Sequence, residues 1–354
     1  VDKPELEETA TDPAPSTDQS GKTRGKSLSS APNSVMHRDA EIRQMTGVLE
    51  PQASGSLADT ILVTGPTGSG KTHTVKYAVD RLCQQNPGLN AVYVNCWEDH
   101  SAFQTLYRIL DHLEGTLDIH RKSTPRDVLL ERLKEHDDEP SVVILDEVDQ
   151  LDDKDLLYDL INLPRFSLLL IVNQEEDLLD GLDDRLASRL GGCERIPFGP
   201  YTVNQLVDIL REIAKHEPVT RNLDQGELEL VADAVNGDAR VAQTALRIAA
   251  RRAEEQPVER ITEDIVESTL PEARQEVRRK SIDMLSPHQR VTFRVIEEHG
   301  KIAPGELIEE YRERVDDPKS NRTIRNYLNK LERYDLVAAE GTTRDRMYRC
   351  LSHR

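Results

Sequence analysis

The chain has 354 residues, 65 Asp and Glu against 46 Lys and Arg, a net charge of −19 and only 4% aromatic residues. That length supports two or three domains, and no apolar run nears the ~20 residues of a membrane helix. Its four cysteines (Cys83, Cys96, Cys193, Cys350) have neither CxxC pairing nor histidines at zinc spacing, which argues against a disulfide scaffold or zinc site and fits a reducing cytoplasm; with no apolar segment after a basic amino end, no secretion signal is expected.

Residues 1–33 are Ser, Thr, Pro, Asp and Gly with almost no large apolar side chains, a composition that cannot repay ordering and predicts a disordered tail. An amphipathic helix is predicted from near His37 through Ile42 and Met45 to Leu49. A dense apolar strand, Thr60–Thr64, precedes a helix over 70–85. Then come a strand over 91–96, helical stretches within 101–136, a strand over 141–145, a helix over 154–162, a strand over 167–172 and a short strand over 193–197. Continuous apolar strands separated by helices predict a parallel sheet covered on both faces, an α/β core over 34–200. Residues 201–279 carry helical pattern alone and form a second domain. Residues 280–354 read as three helices followed by two short strands.

The segment Gly65-Pro66-Thr67-Gly68-Ser69-Gly70-Lys71-Thr72 matches GxxxxGK followed by Ser or Thr at every fixed position, between a buried strand and a helix. Its glycines let successive N–H groups turn inward, and with the helix N-terminus they cradle phosphates. Lys71 would stand between the β- and γ-phosphates and the Thr72 hydroxyl on Mg²⁺. The next motif, Val142 to Leu145 followed by Asp146 and Glu147, is a buried strand ending in two acids where ligands of open α/β sheets bind. Asp146 would hold Mg²⁺ with Thr72, and Glu147 would deprotonate the attacking water. Asp149 reads as solvated or structural. The strand over 167–172 ends in Asn173, whose amide can reach the γ-phosphate or the water. Arg185 and Arg189, four residues apart, share a helix face, and either can serve a neighbouring subunit as an arginine finger. Arg240 opens a helix from which it can reach back over the phosphates.

Together these residues resemble the AAA+ ATPases and, more narrowly, the origin-recognition and cell division control protein 6 initiators of archaea and eukaryotes. The carriers are His37-Arg38 with Glu41, the 65–72 loop, Leu145 to Asp149, Tyr158 to Pro164, Ile171 to Asn173, Arg185 to Gly191, Phe198 to Thr202 with Gln205 and Leu206, and Gly237 to Arg240. They keep the family's order over residues 35 to 354. The resemblance implies an AAA+ core, a helical lid and a C-terminal winged helix. It makes Asn173 sensor 1 and Arg240 sensor 2, adds Tyr201 to the nucleotide-binding residues, and places an initiator-specific helical insert near residues 97–116. It departs after Asn173, where Gln174-Glu175-Glu176 stands in place of the single Asp of many relatives. The implied cofactors are ATP or ADP with Mg²⁺. The implied partners are double-stranded origin DNA, the minichromosome maintenance helicase, and further copies or paralogues on DNA, with no membrane. The implied setting is the nucleoid, and the implied activity a slow, switch-like ATPase that recognises origins and recruits the replicative helicase. The rival reading is an AAA+ DNA-binding regulator or element-encoded protein without helicase loading.

A negative chain is a poor partner for DNA, yet the charge is uneven: residues 271–354 hold 18 Lys and Arg against 15 Asp and Glu, so a DNA surface is expected there. On a helical wheel of residues 321–333, Ile324, Tyr327, Leu328 and Leu331 form one stripe. Arg322, Arg325, Asn326, Asn329, Lys330 and Arg333 cover the other side. That polar face suits a major groove, where Arg and Asn read guanine and adenine bidentately. The following hairpin carries Arg344 and Arg346 for phosphate or minor-groove contact. A winged helix used for protein contact, or a solvated helix face, is the alternative. Lysine is scarce, 13 against 33 arginines, and this acidic, Lys-poor composition is the one expected of a cytoplasm at molar salt.

Overall fold

The computed structural model describes residues 28, 32, 34–53, 59–116, 119, 124–135, 139–179, 182–216, 223–255, 261–341 and 345–351. Most of the expected tail, 1–33, lies outside the described residues. Leu28 does not behave as tail: it is buried in the cluster of Met45, Leu49 and Val75, because even one leucine gains from covering apolar surface.

The first unit runs α1 (Asp39–Ala53), β1 (Thr60–Thr64), α2 (Lys71–Gln85), β2 (Asn90–Asn95), α3 (Ala102–Leu113), α4 (Arg126–Glu135), β3 (Ser141–Asp146), α5 (Asp155–Ile161), β4 (Phe166–Ile171), α6 (Glu175–Leu179), α7 (Asp184–Gly191) and β5 (Glu194–Pro197). The strands form one parallel sheet in the order β2-β3-β4-β1-β5. β3 and β4 are buried at every position, as strands covered on both faces must be. Alternate residues feed two cores: Leu62, Val143 and Leu145 on one face, Ile61, Val63 and Ile144 on the other. The register sets Asn95 beside Asp146, Asp146 beside Ile171 and Ile171 beside Val63. The loops leaving β1, β3 and β4 therefore emerge in one row. α6 was not foreseen, since five residues carry too little periodicity.

α8 (Val203–His216), α9 (Gln225–Asp233), α10 (Ala239–Glu255) and α11 (Glu263–Asp283) follow. They bury a core of their own, with Leu206, Leu210, Val231 and Leu246. The expected boundary at 279/280 falls inside α11. The last unit comprises α12 (Pro287–His299), β6 (Lys301–Ile302), α13 (Pro304–Glu313), α14 (Asn321–Arg333), β7 (Val337–Glu340) and β8 (Met347–Cys350). Its antiparallel sheet has the order β6-β8-β7. The two-residue β6 is too short to show alternation in sequence. Three helices with this small sheet make a winged helix, and the whole is the α/β AAA+ architecture expected. Among the described residues no helix is long and apolar enough to cross a membrane.

Candidate active site

The loop after β1 turns on Gly65, Gly68 and Gly70, at φ of +146°, +74° and +85°. Space adds to the demand for glycine: a Cβ on Gly65 would strike the backbone carbonyl oxygen of Phe198, one on Gly68 the Asp238 carboxylate and one on Gly70 the Tyr201 hydroxyl. The Lys71 amino group donates to the carbonyl oxygens of Gly65 (2.6 Å) and Pro66 (2.9 Å) and to Asn173 Oδ1 (3.0 Å). Burial lowers its pKa to about 8, with Asp146 opposing. The loop thus brings a cation and the N-terminus of α2 to one point, a place suited to anions.

Two acids close it. Asp146 Oδ2 accepts from the Thr72 hydroxyl (2.8 Å) and from the Tyr93 hydroxyl (2.9 Å), and Lys76 stands 3.4 Å over the Tyr93 ring. Burial raises the Asp146 pKa against those two donors. Glu147 adopts a left-handed backbone, φ 54°, a strained conformation for a non-glycine residue that holds its side chain at the end of the sheet. Burial lifts its pKa to about 7, opposed first by Lys330, a value suited to a general base near neutrality. Its Oε1 accepts from the Tyr334 hydroxyl, while its Oε2 is buried without a partner.

These groups line a cavity of about 680 Å³. Thr67, Gly68, Ser69, Gly70, Lys71 and Thr72 form one wall, continued by Asp146, Glu147, Asn173, Tyr201 and Arg240; Met36, Ile209 and Ile213 make an apolar end. The α10 side meets the loop at Asp238, whose carboxylate lies against Gly68 and pairs Arg240 (3.2 Å), and at the Ala239 N–H, which donates to Gly68 O (3.2 Å). Tyr201 abuts Gly70 through its hydroxyl.

Arg38, quoted above only as part of a motif, acquires a role. Its guanidinium is buried, pairs Glu41 (2.8 Å), donates to Ser69 O (2.8 Å) and Gly199 O (2.7 Å), and lies 4.3 Å from the Tyr201 ring and 4.9 Å from that of Phe198. It joins the phosphate loop to the segment entering α8. Arg185 and Arg189 are exposed on α7, whose Leu186 and Leu190 face inward.

On α14, Arg322, Arg325, Asn326 and Asn329 are exposed. Lys330 is not: it is fully buried, its ammonium 3.1 Å from the Trp97 ring centre, and burial lowers its pKa to about 7. It cannot contact DNA in this arrangement. Arg333 likewise turns inward to pair Asp149 (2.6 Å) and Asp177, so Asp149 is a buried ion-pair partner rather than solvated. The wheel identified the polar side of this helix correctly but could not say what that side meets. Arg346 pairs Glu332 (3.1 Å) and lies 5.2 Å from the Tyr348 ring. Arg344 lies outside the described residues. Sequence reasoning missed Tyr93, Trp97, Asp238 and Tyr334; only Trp97, as the sole tryptophan, offered any signal.

The AAA domain profile matches residues 55–179. The chain is 45% identical over 317 residues to ORC1-type DNA replication protein 9 of Halobacterium salinarum, spanning 90% of each chain. It is 48% identical over 295 residues to ORC1-type DNA replication protein 1 of the same organism, spanning 83% of this chain and 96% of the relative. Among solved structures it is similar to the Aeropyrum pernix ORC1 protein in complex with DNA, with a TM-score of 0.65, 26% identity, and 90% and 89% of the two chains covered.

Proposed function

The chain belongs to the ORC1-type DNA replication proteins of archaea, and from that membership we propose an initiator that binds origin DNA and is switched by ATP. The observation that carries the nucleotide half is the convergence of Lys71, the Thr72–Asp146 pair and the half-satisfied Glu147 carboxylate on one cavity. Its size, its cationic loop and its two acids suit a nucleoside triphosphate with a divalent cation. In that reading Thr72 and Asp146 hold Mg²⁺, which would neutralise charge developing on the phosphates. Lys71 binds between the β- and γ-phosphates, Glu147 takes the proton of the attacking water, and Asn173 orients that water. Tyr201 and Arg240 bring the helical lid onto the nucleotide, and Arg185 or Arg189 reaches the site of a neighbouring copy or paralogue. Turnover is slow, and ATP serves chiefly to set the protein's conformation.

Arg322, Arg325, Asn326 and Asn329 supply the base-reading face, with Arg346 and Arg344 on the wing. Recruitment of the minichromosome maintenance helicase completes the proposed role. The test is a footprint on chromosomal replication origins with and without ATP, paired with mapping of occupancy in cells. Protection that depends on ATP and peaks at replication start sites is expected. Occupancy spread over promoters would favour the regulator reading instead.

A further inference from the structure

The winged helix and the hydrolytic end of the site are not independent. Trp97, two residues beyond β2, is 2% exposed, yet it packs within the winged-helix core among Leu285, Phe293 and Leu328. Its indole N–H donates to the Met284 carbonyl oxygen. The last turn of α14 closes around it. Lys330 lies over the indole with no hydrogen-bond partner of its own. Tyr334 meets the indole edge-on at 4.5 Å, and Arg333 pairs with both Asp149 and Asp177. The Tyr334 hydroxyl reaches across to Glu147, 187 residues earlier in the chain.

Arg322, Asn326 and Asn329 share a cleft of only about 40 Å³ with Asp149, Gln150, Lys154 and Asp177. A helix reads bases by entering a groove some 12 Å wide between two phosphate backbones. Those three side chains are exposed to solvent, yet the carboxylates of Asp149 and Asp177 face them across the cleft and would repel a phosphate backbone drawn in beside α14.

We propose that Tyr334 is a positioning residue for Glu147 and that the turn Lys330 to Tyr334 is a latch: shut, its hydrogen bond engages one oxygen of the Glu147 carboxylate and weakens it as a proton acceptor, and it holds α14 beside the core; engagement of duplex DNA by α14 opens it. This rests on the ATPase and DNA-binding reading above. The two states compete for one helix, so DNA draws the population toward the open form, and the apparent DNA affinity is reduced by the fraction of molecules that are shut.

The latch contains its own reporter, because Trp97 is the chain's single tryptophan. Adding a duplex origin fragment to the full chain should move Trp97 emission to longer wavelength as the indole loses its cover. Tyr334→Phe keeps the ring and its packing but frees Glu147, so DNA-free hydrolysis should rise several-fold with ATP affinity unchanged. Asp177→Asn, which leaves α14 untouched, should tighten duplex binding several-fold, whereas an equal charge change at exposed Asp184 should not. The function itself is read separately, by filter binding and phosphate release on the unaltered chain. If the unaltered chain binds no DNA, faster hydrolysis by Tyr334→Phe still supports the hold on Glu147. DNA that binds with Trp97 emission unshifted, or Tyr334→Phe hydrolysing at the rate of the unaltered chain, would overturn the latch.

Discussion

Arg38→Ala removes a side chain that touches the phosphate loop, the entry to the lid and α1 at once. Arg38 is 5% exposed, so its charge is largely out of water and its contacts act in a low-dielectric setting. Deletion would leave the Ser69 and Gly199 carbonyl oxygens without these donors, each loss costing about 1–3 kcal/mol. It would also remove the stacking against Phe198 and Tyr201, about 1–2 kcal/mol when desolvated. Relief of the buried arginine's own desolvation offsets part of this, so we expect a net loss near 4 kcal/mol. For a unit of roughly 165 residues that corresponds to a fall in Tm of about 8–16 °C. The assay is calorimetry of the nucleotide-free chain, repeated at low salt and at molar KCl. The contacts are short and buried, and a Debye length of about 3 Å at 1 M does not screen them, so the penalty should be the same at both salts. A Tm within about 2 °C of the unaltered chain, or a penalty that vanishes in molar KCl, would refute the buried-strut account.

Four further outcomes are expected. Lys71→Ala should abolish tight ATP binding in equilibrium dialysis, since the loop loses its cation at the β- and γ-phosphates. Glu147→Gln should bind ATP normally yet release phosphate some 10²–10⁴-fold more slowly; hydrolysis at the original rate would remove Glu147 from the role of base. Arg325→Ala should cost about 1–3 kcal/mol of discrimination between origin and scrambled duplexes if it reads a base edge, seen in competition gel shifts as a smaller specificity ratio. Origin binding, titrated from about 0.1 to about 3 M KCl, should persist at molar salt with a slope shallower than the usual loss of about 0.9 per phosphate neutralised; disappearance of all specific binding by about 0.5 M would refute direct readout by short-range contacts.

The parts legible in sequence were those whose physics is local. β1 is five consecutive apolar or β-branched residues, and a strand buried on both faces has no other way to look. The 65–72 loop was legible because backbone turning needs glycine at fixed offsets, and the acids at Asp146 and Glu147 because they terminate a wholly apolar run. What stayed hidden was contact across long separations. Tyr334 sits at the end of an amphipathic helix like many tyrosines, and nothing near it in the chain indicates Glu147. Trp97 follows a strand of the first unit but packs in the core of the last. α6 and β6 carry too few residues for any period to emerge.

The error at Lys330 and Arg333 follows from the charge balance of the chain. Asp146, Glu147, Asp149 and Asp177 gather at the ends of β3 and β4, and burial raises the pKa of Asp146, Glu147 and Asp177. Like charges held that close in a dry setting repel strongly, and Lys71 answers the cluster from one side only. Lys330 and Arg333 answer it from the other, each opposing the upward shift of its neighbour: Lys330 at Glu147, Arg333 at Asp177. In a protein with so many acids, a cation on an amphipathic helix is as readily claimed by the protein's own carboxylates as by phosphates. The helical wheel counts positive side chains but not the acids packed against them. That is why Arg322, Arg325, Asn326 and Asn329 of α14 stay exposed, while Lys330 and Arg333 of its last turn face the protein's own acids.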